Sequence, residues 1–342
     1  MNLNFSSLIG KSLENLESLA ESLGEPKYRG RQLFDWIYRK QIDDYKKMSD
    51  LPSSFKKQLM AYPMHPLRLI NLNTSKSKNT QKYLFSLKDN KMIESVLMFE
   101  GKRLTACLST QVGCAVGCKF CATAKMGFLQ NLTVGEIIDQ FLQLQKISQQ
   151  KITNVVFMGM GEPFLNYTNS LNAAHLLHHP KGINMGSWRI TISTAGITKK
   201  IRQYSEEKQP FKLAISLNGS NEKQRANIMP LTKKGFFLDL INVAKDYTIK
   251  NRKKVTFEYV LLSDVNDNTE DAIKLKYLLN QINCKLNIIP YNEIDGPYKR
   301  PSDKSINAFL ANLKKVSFPV TVRWSKGQEI DAGCGQLVTS FK

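Results

Sequence analysis

Six apolar segments alternate with helical patterns along most of this chain, and this alternation limits its possible folds more than any other feature. The clearest helical pattern begins at Thr133, which forms a capping box with Glu136 and precedes an apolar stripe from Val134 to Leu142. Repeated strand–helix units imply a parallel sheet that is either open or curled into a partial barrel. Ligands of such sheets bind at the carboxyl ends of the strands, where the polar endings of these segments fall. The segments are ITNVVFMG, WRITIST, FKLAISL, VTFEYVLL, KLNIIPY and FPVTVRW.

The chain is 342 residues long, which is enough for one large domain with a smaller one. No run approaches the roughly 18 apolar residues that span a bilayer, and MNLNFSSLIGKS lacks the features of a secretory signal. We therefore expect a cytoplasmic protein. Because the cytosol is reducing, clustered cysteines there are more often metal ligands than disulfides.

A formal net charge of +20 favours a nucleic-acid partner, because each contacted phosphate releases counterions. Solubility alone is the alternative explanation of this charge. Basic pairs recur along the chain instead of forming one tail, which indicates a broad surface. Nothing in the sequence indicates a coiled-coil seam, so we expect a monomer.

Four ranges follow from the patterns. Residues 1–75 carry three amphipathic helical patterns with interleaved Lys and Arg, typical of an RNA-binding accessory domain or a lid. A polar linker, NTSKSKNTQ, leads into residues 76–99, where alternation predicts a short β ribbon carrying Glu94. Residues 100–329 form the α/β core, a partial (βα)6 barrel, and residues 330–342 form a C-terminal loop.

Four of the six cysteines lie within fifteen residues, and three of them follow the pattern C-x3-C-x2-C. Three thiolates make a poor structural zinc site, which takes four ligands. They suit a [4Fe–4S] cluster with one iron left open, where S-adenosylmethionine can chelate through its amino and carboxylate groups. The motif cysteines are Cys114, Cys118 and Cys121; the fallback ligands are Cys107 and the distant histidines 65, 175, 178 and 179.

The cysteine spacing, with Phe120 before the third cysteine, resembles the radical S-adenosylmethionine (radical SAM) superfamily. The next strand ends in GMGEP, similar to the superfamily's glycine–glutamate motif. STQVGCAVGCKFCAT, NVVFMGMGEPFLN, ISTAG, AISL, NDNTEDA, NIIPYN and IDAGCGQL together resemble the RlmN/Cfr family of adenosine methyltransferases from about residue 25 onward. The Pro and Leu of GEPFLN are typical of the RlmN branch, since the resistance enzymes of the Cfr branch have GEALAN.

The resemblance implies a radical SAM barrel and a reaction that consumes two S-adenosylmethionine molecules. The first methylates Cys334, and the second is cleaved on the cluster to a radical that removes hydrogen from that methyl group. The resulting carbon radical adds to adenine, and Cys107 then attacks Cys334 and leaves a disulfide. Glu94 matches the family's proposed proton acceptor. Without the resemblance, Cys334 would be an incidental thiol where flanking glycines loosen the backbone, and Glu94 a solvent-facing residue.

The resemblance also implies cofactor contacts at the ends of several strands. The family commonly has histidine where this chain has Asn218, so a contact through imidazole would be lost while a backbone contact would remain. The implied cofactor-binding residues are Gly161, Glu162, Ser193, Ser216, Leu217, Asn218 and Asn292.

The function implied is methylation of adenine C2 in 23S rRNA near the peptidyl-transferase centre, and in tRNA at the adenosine beside the anticodon. A low-potential electron donor of flavodoxin or ferredoxin type is implied as a partner. Two alternatives stay open: Cfr-like C8 methylation of the same rRNA adenosine, and a non-catalytic metal-containing RNA-binding protein. A flipped or single-stranded adenosine is expected, because a stacked base cannot reach a buried radical.

Overall fold

The computed structural model describes residues 7–339, so residues 1–6 of the predicted accessory domain and 340–342 of the predicted C-terminal loop lie outside it. Three α-helices open the described chain, in the order in which the sequence patterns predict them. The first has a capping box at Ser12 and buries Leu16 and Ala20 on one face. The helices are α1 (Leu13–Ser22), α2 (Lys27–Phe34) and α3 (Ser53–Leu59).

An antiparallel ribbon follows and is longer than predicted. The strand β1 (Arg68–Thr74) pairs with β2 (Thr80–Ser86), which pairs with β3 (Met92–Glu100). The sequence reading placed β1 in the helical range, and this is wrong. Residues 70–73 (INLN) alternate apolar and polar side chains as strands do, but the run is short and all seven residues of the strand are exposed. The predicted linker is the turn of the β1–β2 hairpin together with the strand ends on either side of it.

The ribbon continues into a parallel sheet through β4 (Arg103–Cys107), which pairs antiparallel with β3 and parallel with the next barrel strand. The ten strands of this sheet are the three ribbon strands, β4 and six further barrel strands, and they lie side by side in chain order. A separate two-stranded sheet joins β5 (Gln111–Gly113) to β6 (Phe128–Asn131). The other barrel strands are β7 (Asn154–Phe157), β8 (Ile190–Thr194), β9 (Lys212–Ser216), β10 (Val255–Leu261), β11 (Cys284–Pro290) and β12 (Val320–Val322).

Helices occupy every crossover between the parallel strands, which gives six strand–helix units and a final strand. Within residues 7–339 no pairing joins β12 to β4, so the predicted partial (βα)6 barrel is confirmed as an open one. The helix predicted at Thr133 has its capping box: the Thr133 hydroxyl accepts from the Glu136 N–H at 3.2 Å. These helices are α4 (Ala122–Lys125), α5 (Val134–Ser148), α6 (Tyr167–His178), α7 (Thr198–Glu206), α8 (Glu222–Ile228), α9 (Phe236–Asn251), α10 (Thr269–Leu279) and α11 (Asp303–Asn312).

The barrel strands are apolar on their outer face and polar on their inner face. In β9, Leu213 and Ile215 are buried in the hydrophobic core, whereas Lys212, Ala214 and Ser216 line the barrel interior. The core therefore lies between the sheet and its helices, and the barrel interior is left for ligands. Among the described residues, no helix combines the length and the apolar character needed to cross a membrane.

Candidate active site

The three motif cysteines lie on the loop that leaves β5. Cys114 directly follows that strand, and its N–H donates to the carbonyl of Gly127 at 2.8 Å. Cys121 precedes α4, and its N–H donates to the carbonyl of Cys118 at 3.2 Å. The three side chains line one cavity and pack on a small apolar cluster. The loop thus presents three thiols to the same space.

Burial outweighs charge at these thiols, although the Arg225 guanidinium lowers the pKa of Cys118. Burial raises the pKa of all three, that of Cys114 to about 12. Each thiol therefore stays protonated until a bound cation stabilises its thiolate. In the described part of the chain, no three His, Cys, Asp or Glu side chains converge closely enough for a single metal ion. Cluster cysteines each bind a different iron, so they do not have to converge on one point.

Glu162 lies across the same cavity, in the loop after β7. It is 4% exposed, and its two carboxylate oxygens accept from the N–H groups of Ala195 at 2.6 Å and Phe164 at 2.9 Å. Burial raises the pKa of Glu162 to about 7. Gly161 lines the cavity beside it. A ligand ammonium group would stabilise the ionised form of this carboxyl.

Two cavities occupy the barrel interior. The upper cavity, about 160 Å³, is lined by the carboxyl ends of the strands and by the cysteine loop. The lower cavity, about 770 Å³, is lined largely by the amino-terminal halves of the strands. Cys334 lines both cavities, Cys107 lines only the lower one, and the motif cysteines line only the upper one. Cys334 therefore faces both compartments.

The loop that carries Cys334 is tightly held, so the expectation of a loose backbone is wrong. Asn292 donates to the carbonyl of Cys334 at 2.9 Å, and the Ala122 N–H donates to the carbonyl of Gly335 at 2.7 Å. A Cβ on Gly333 would lie 2.8 Å from the side-chain nitrogen of Asn292. The glycine thus permits close approach, and the loop is fixed against the start of α4, next to Cys121.

Cys107 ends β4 and is 7% exposed. Burial, and then the nearby Cys334, raises its pKa to about 12, while the Arg323 guanidinium acts in the opposite direction. The structure thus brings the two predicted reaction cysteines to the wall of one cavity. Arg323 lines that cavity too, and its guanidinium donates to the sulfurs of Met158 at 3.6 Å and Met98 at 3.7 Å.

Glu94 is buried, at 6% exposed, and not solvent-facing. Its carboxylate lies 3.0 Å from the Lys82 ammonium and accepts from the Val338 N–H at 3.0 Å. It lines neither cavity. Burial raises its pKa, although Lys82 opposes this shift. In this structure Glu94 therefore anchors the segment that follows Cys334.

The other five predicted cofactor-binding residues also lie at or near the upper cavity. Ser193, Ser216, Asn218 and Asn292 line it, whereas Leu217 is buried beside it and could offer only its backbone. The Asn218 side-chain oxygen accepts from the Val260 N–H at 2.8 Å, so its amide fixes the neighbouring strand. No histidine lines either cavity among residues 7–339, so the fallback metal ligands are not brought to the site.

Glu258 is a site residue that the sequence reading missed. It lies on β10, is 7% exposed and lines both cavities. The Ser193 hydroxyl donates to one of its oxygens at 3.0 Å, and the other oxygen has no hydrogen-bond partner in the described structure. Burial raises the pKa of Glu258. A polar residue at every second position of an apolar strand was the signal that could have identified it.

Residues 108–275 match the radical SAM superfamily, and residues 6–63 match the ribosomal RNA large subunit methyltransferase N-terminal domain. The chain is 42% identical over 331 residues to the probable dual-specificity RNA methyltransferase RlmN of Thermotoga neapolitana, with 96% of each chain covered. It is also 42% identical to the dual-specificity RNA methyltransferase RlmN of Lawsonia intracellularis, covering 98% of this chain and 97% of that one. This chain belongs to the RlmN family.

A crystal structure of a radical SAM methyltransferase from Sphaerobacter thermophilus superposes on this RlmN-family chain with a TM-score of 0.93. The two chains are 40% identical, with 97% of this chain and 99% of that one covered. The comparisons confirm the radical SAM fold and an enzyme of the RNA methyltransferase class. They also confirm the expected cofactors, a [4Fe–4S] cluster and S-adenosylmethionine. Three half-buried cysteines and the Glu162 carboxyl around one cavity fit these groups.

Proposed function

We propose that this protein methylates C2 of an adenosine in 23S rRNA, and of the adenosine beside the anticodon in tRNAs, by way of a methylated Cys334. The observation that carries the proposal is the position of Cys334, which lines both the upper and the lower cavity. A residue that faces two compartments can take a group from a molecule in one and deliver it to a molecule in the other. The relatives are named dual-specificity RNA methyltransferases, and the N-terminal match names the large ribosomal subunit RNA, which supports two kinds of RNA substrate.

In the upper cavity, Cys114, Cys118 and Cys121 would hold the cluster and Glu162 the amino group of S-adenosylmethionine. When bound, these groups supply a transferable methyl group and, after one-electron reduction, a radical that removes hydrogen from a methyl group. A flavodoxin or ferredoxin would provide the electron. Gly161, Ser193, Ser216, Leu217, Asn218 and Asn292 complete the proposed cofactor site.

Cys334 would carry the methyl group, since its loop is fixed by Asn292 and by the start of α4. Cys107 would release the product: its thiolate attacks the Cys334 sulfur and a disulfide forms, while the bond from that sulfur to the transferred carbon breaks. The carbon keeps the electron pair of that bond and stays on the base, where it takes a proton to become the methyl group. The high pKa of the Cys107 thiol requires a nearby cation for this attack, and Arg323 shares the cavity. Glu94 would accept the proton from the base, although in this structure its carboxylate is paired with Lys82.

Nucleoside mass spectrometry tests this function. Protein purified without oxygen is incubated with S-adenosylmethionine, a reductant and either 23S rRNA or tRNA, and the RNA is then digested. We expect 2-methyladenosine from both RNAs. Formation of 8-methyladenosine would contradict the C2 assignment, and product from rRNA alone would contradict dual specificity.

The alternative of a non-catalytic metal protein is wrong, because the relatives are RNA methyltransferases and the family match is to the radical SAM superfamily. A zinc site is not supported either, since no three potential ligands of the described residues converge on a single metal ion. Colourless protein that contains zinc after anaerobic purification would contradict the expected cluster. We expect brown protein that contains iron and absorbs near about 400 nm, as iron–sulfur clusters do.

A further inference from the structure

The mouth of the lower cavity is lined by cations from several strands. Arg103 begins β4, Lys212 begins β9, and Lys285 is the second residue of β11. Lys254 immediately precedes β10, and all four residues line the cavity. Because the amino ends of parallel strands meet at one end of a barrel, these side chains lie at the end opposite the cysteine loop. We call these four residues the mouth cations.

The mouth cations have no ionic partners. In the part of the chain that the structure describes, none of the four forms an ion pair. Burial, followed by the like charges of Lys212, Arg103 and Arg323, lowers the pKa of Lys285. These positive charges repel one another, and a bound anion would relieve the repulsion. The mouth therefore has the electrostatics of an anion-binding site.

The depth and shape of the lower cavity favour a nucleotide chain over a small anion. Its volume of about 770 Å³ is in the range of ligand pockets, and Cys107 and Cys334 line it as well. Trp324, 55% exposed, lines the same cavity and offers a ring on which a base can stack. A small anion would need neither the exposed ring nor a passage to the two cysteines.

We propose that RNA approaches the barrel from the amino-terminal ends of its strands, where Arg103, Lys212 and Lys285 bind the phosphates that flank the target adenosine. The flipped base then extends through the lower cavity to Cys334. This inference rests on the proposed function and adds to it the face of the barrel that the RNA contacts. The upper cavity cannot serve as this route, because the cofactors occupy it.

The test is the salt dependence of RNA binding. A fluorescently labelled anticodon stem-loop is titrated with cluster-containing Lys212→Gln/Lys285→Gln protein at several salt concentrations, and anisotropy is measured. We expect the Kd to rise about tenfold near physiological salt, because two phosphate contacts are lost. The slope of log K against log salt should become less steep by about 1 for each lysine removed.

Two further variants make the result specific. Lys212→Arg/Lys285→Arg keeps both charges and should bind RNA nearly as well as the wild type. Lys274→Gln/Lys304→Gln removes two exposed charges from α10 and α11 on the outside of the barrel, and its Kd and slope should match the wild type. Iron content and Tm of each variant verify that it folds.

The proposal is overturned if Lys212→Gln/Lys285→Gln binds RNA with the Kd and slope of the outer control. It is also overturned if inorganic triphosphate binds the wild type and not this variant while RNA binding is unchanged, because the site would then serve a small anion. Failure of the proposed function is a separate result: wild-type protein would bind RNA normally and produce no methylated adenosine.

Discussion

Cys334 illustrates how a single side chain depends on its local backbone. The loop around it is fixed by hydrogen bonds from Asn292 and Ala122, and the Thr123 hydroxyl donates to the carbonyl of Leu337 at 2.5 Å. Its sulfur is thus held at the junction of the two cavities, in reach of ligands from either side. The proposed roles of Cys334, Cys107 and Glu94 can each be tested by replacing that residue.

Replacement of Cys334 distinguishes its proposed role as the methyl carrier from a role as a ligand of the cluster. Cys334→Ala should retain the iron content of the wild type and its absorbance near about 400 nm, because the three motif cysteines remain. It should produce no methylated adenosine. Loss of the metal in this variant would instead identify Cys334 as a fourth ligand, and residual methylation would exclude it as the methyl carrier.

Replacement of Cys107 should stall the reaction after the base is attached. Cys107→Ala leaves no thiolate to attack the Cys334 sulfur, so we expect a covalent protein–RNA adduct. Denaturing gel electrophoresis with labelled RNA would reveal it as a shifted band. Cys284→Ala is the matched control, since that buried thiol lines neither cavity and should give no adduct. A Cys107→Ala protein that releases methylated RNA would contradict the role.

Glu94 has two candidate roles, proton acceptor and anchor, which a pair of variants can separate. Glu94→Gln leaves the buried Lys82 without its counter-charge, and we expect a loss of about 3 kcal/mol in the free energy of unfolding. Lys82→Met/Glu94→Gln removes both charges and should recover most of this stability. If Glu94 accepts the proton, neither variant methylates RNA. Wild-type methylation by the double variant would leave Glu94 only its anchoring role.

At the scale of secondary-structure elements, the sequence predicts the helices and strands whose apolar residues recur at a regular spacing. The six apolar segments are strands β7 to β12, and the helix at Thr133 begins where its capping box indicates. The exposed strand β1 was missed although residues 70–73 (INLN) alternate, because four residues beside a polar segment are too short a run to set against the helical patterns that precede them. Glu258 and Arg323 were missed because the barrel strands were interpreted as fully buried, whereas their inner faces line cavities.

The cysteine loop depends on a left-handed turn at Gly113. Its φ is +71°, and a Cβ there would lie 1.8 Å from the carbonyl oxygen of Gly127, which accepts from the Cys114 N–H. Gly113→Ala must therefore displace the loop, and we expect a lower iron content and a loss of more than about 2 kcal/mol in stability. Chemical denaturation and iron analysis measure these effects.

Gly101→Ala is the matched control for this variant. Gly101 also has a positive φ, +55°, but a Cβ there would meet nothing within 4 Å. Only the backbone strain of about 1 kcal/mol should remain, with normal iron content. Equal iron loss in both variants would show that the packing around Gly113 does not matter for the cluster.

At the scale of the whole molecule, an ionic network joins the N-terminal segment to the barrel. His65 lies 2.6 Å from the buried carboxylate of Asp139 on α5 and 3.4 Å from that of Asp43. Asp139 also accepts from the Leu67 N–H at 3.0 Å. Burial alone would lower the pKa of His65, but Asp139 and Asp43 raise it. Protonated His65 thus connects two parts of the fold.

This network predicts a pH-dependent stability. Because the pKa of His65 in the folded state is raised, its contribution is fully present below the ordinary value near 6.5 and is lost as pH rises through the raised value. We expect the free energy of unfolding of the wild type to fall by about 1 kcal/mol relative to that of His65→Gln over this interval. Urea denaturation at several pH values measures the difference, and parallel pH profiles of the two proteins would contradict it.

The position of Cys334 between the two cavities affects the order in which S-adenosylmethionine and RNA can bind. If each reactant approaches Cys334 from its own side of the barrel, neither has to leave before the other arrives. Protein preincubated with S-adenosylmethionine and then separated from it would already hold its methyl carbon. When supplied with fresh cofactor bearing an isotopic label in the methyl position, such protein should place unlabelled carbon on RNA in the first turnover and labelled carbon thereafter.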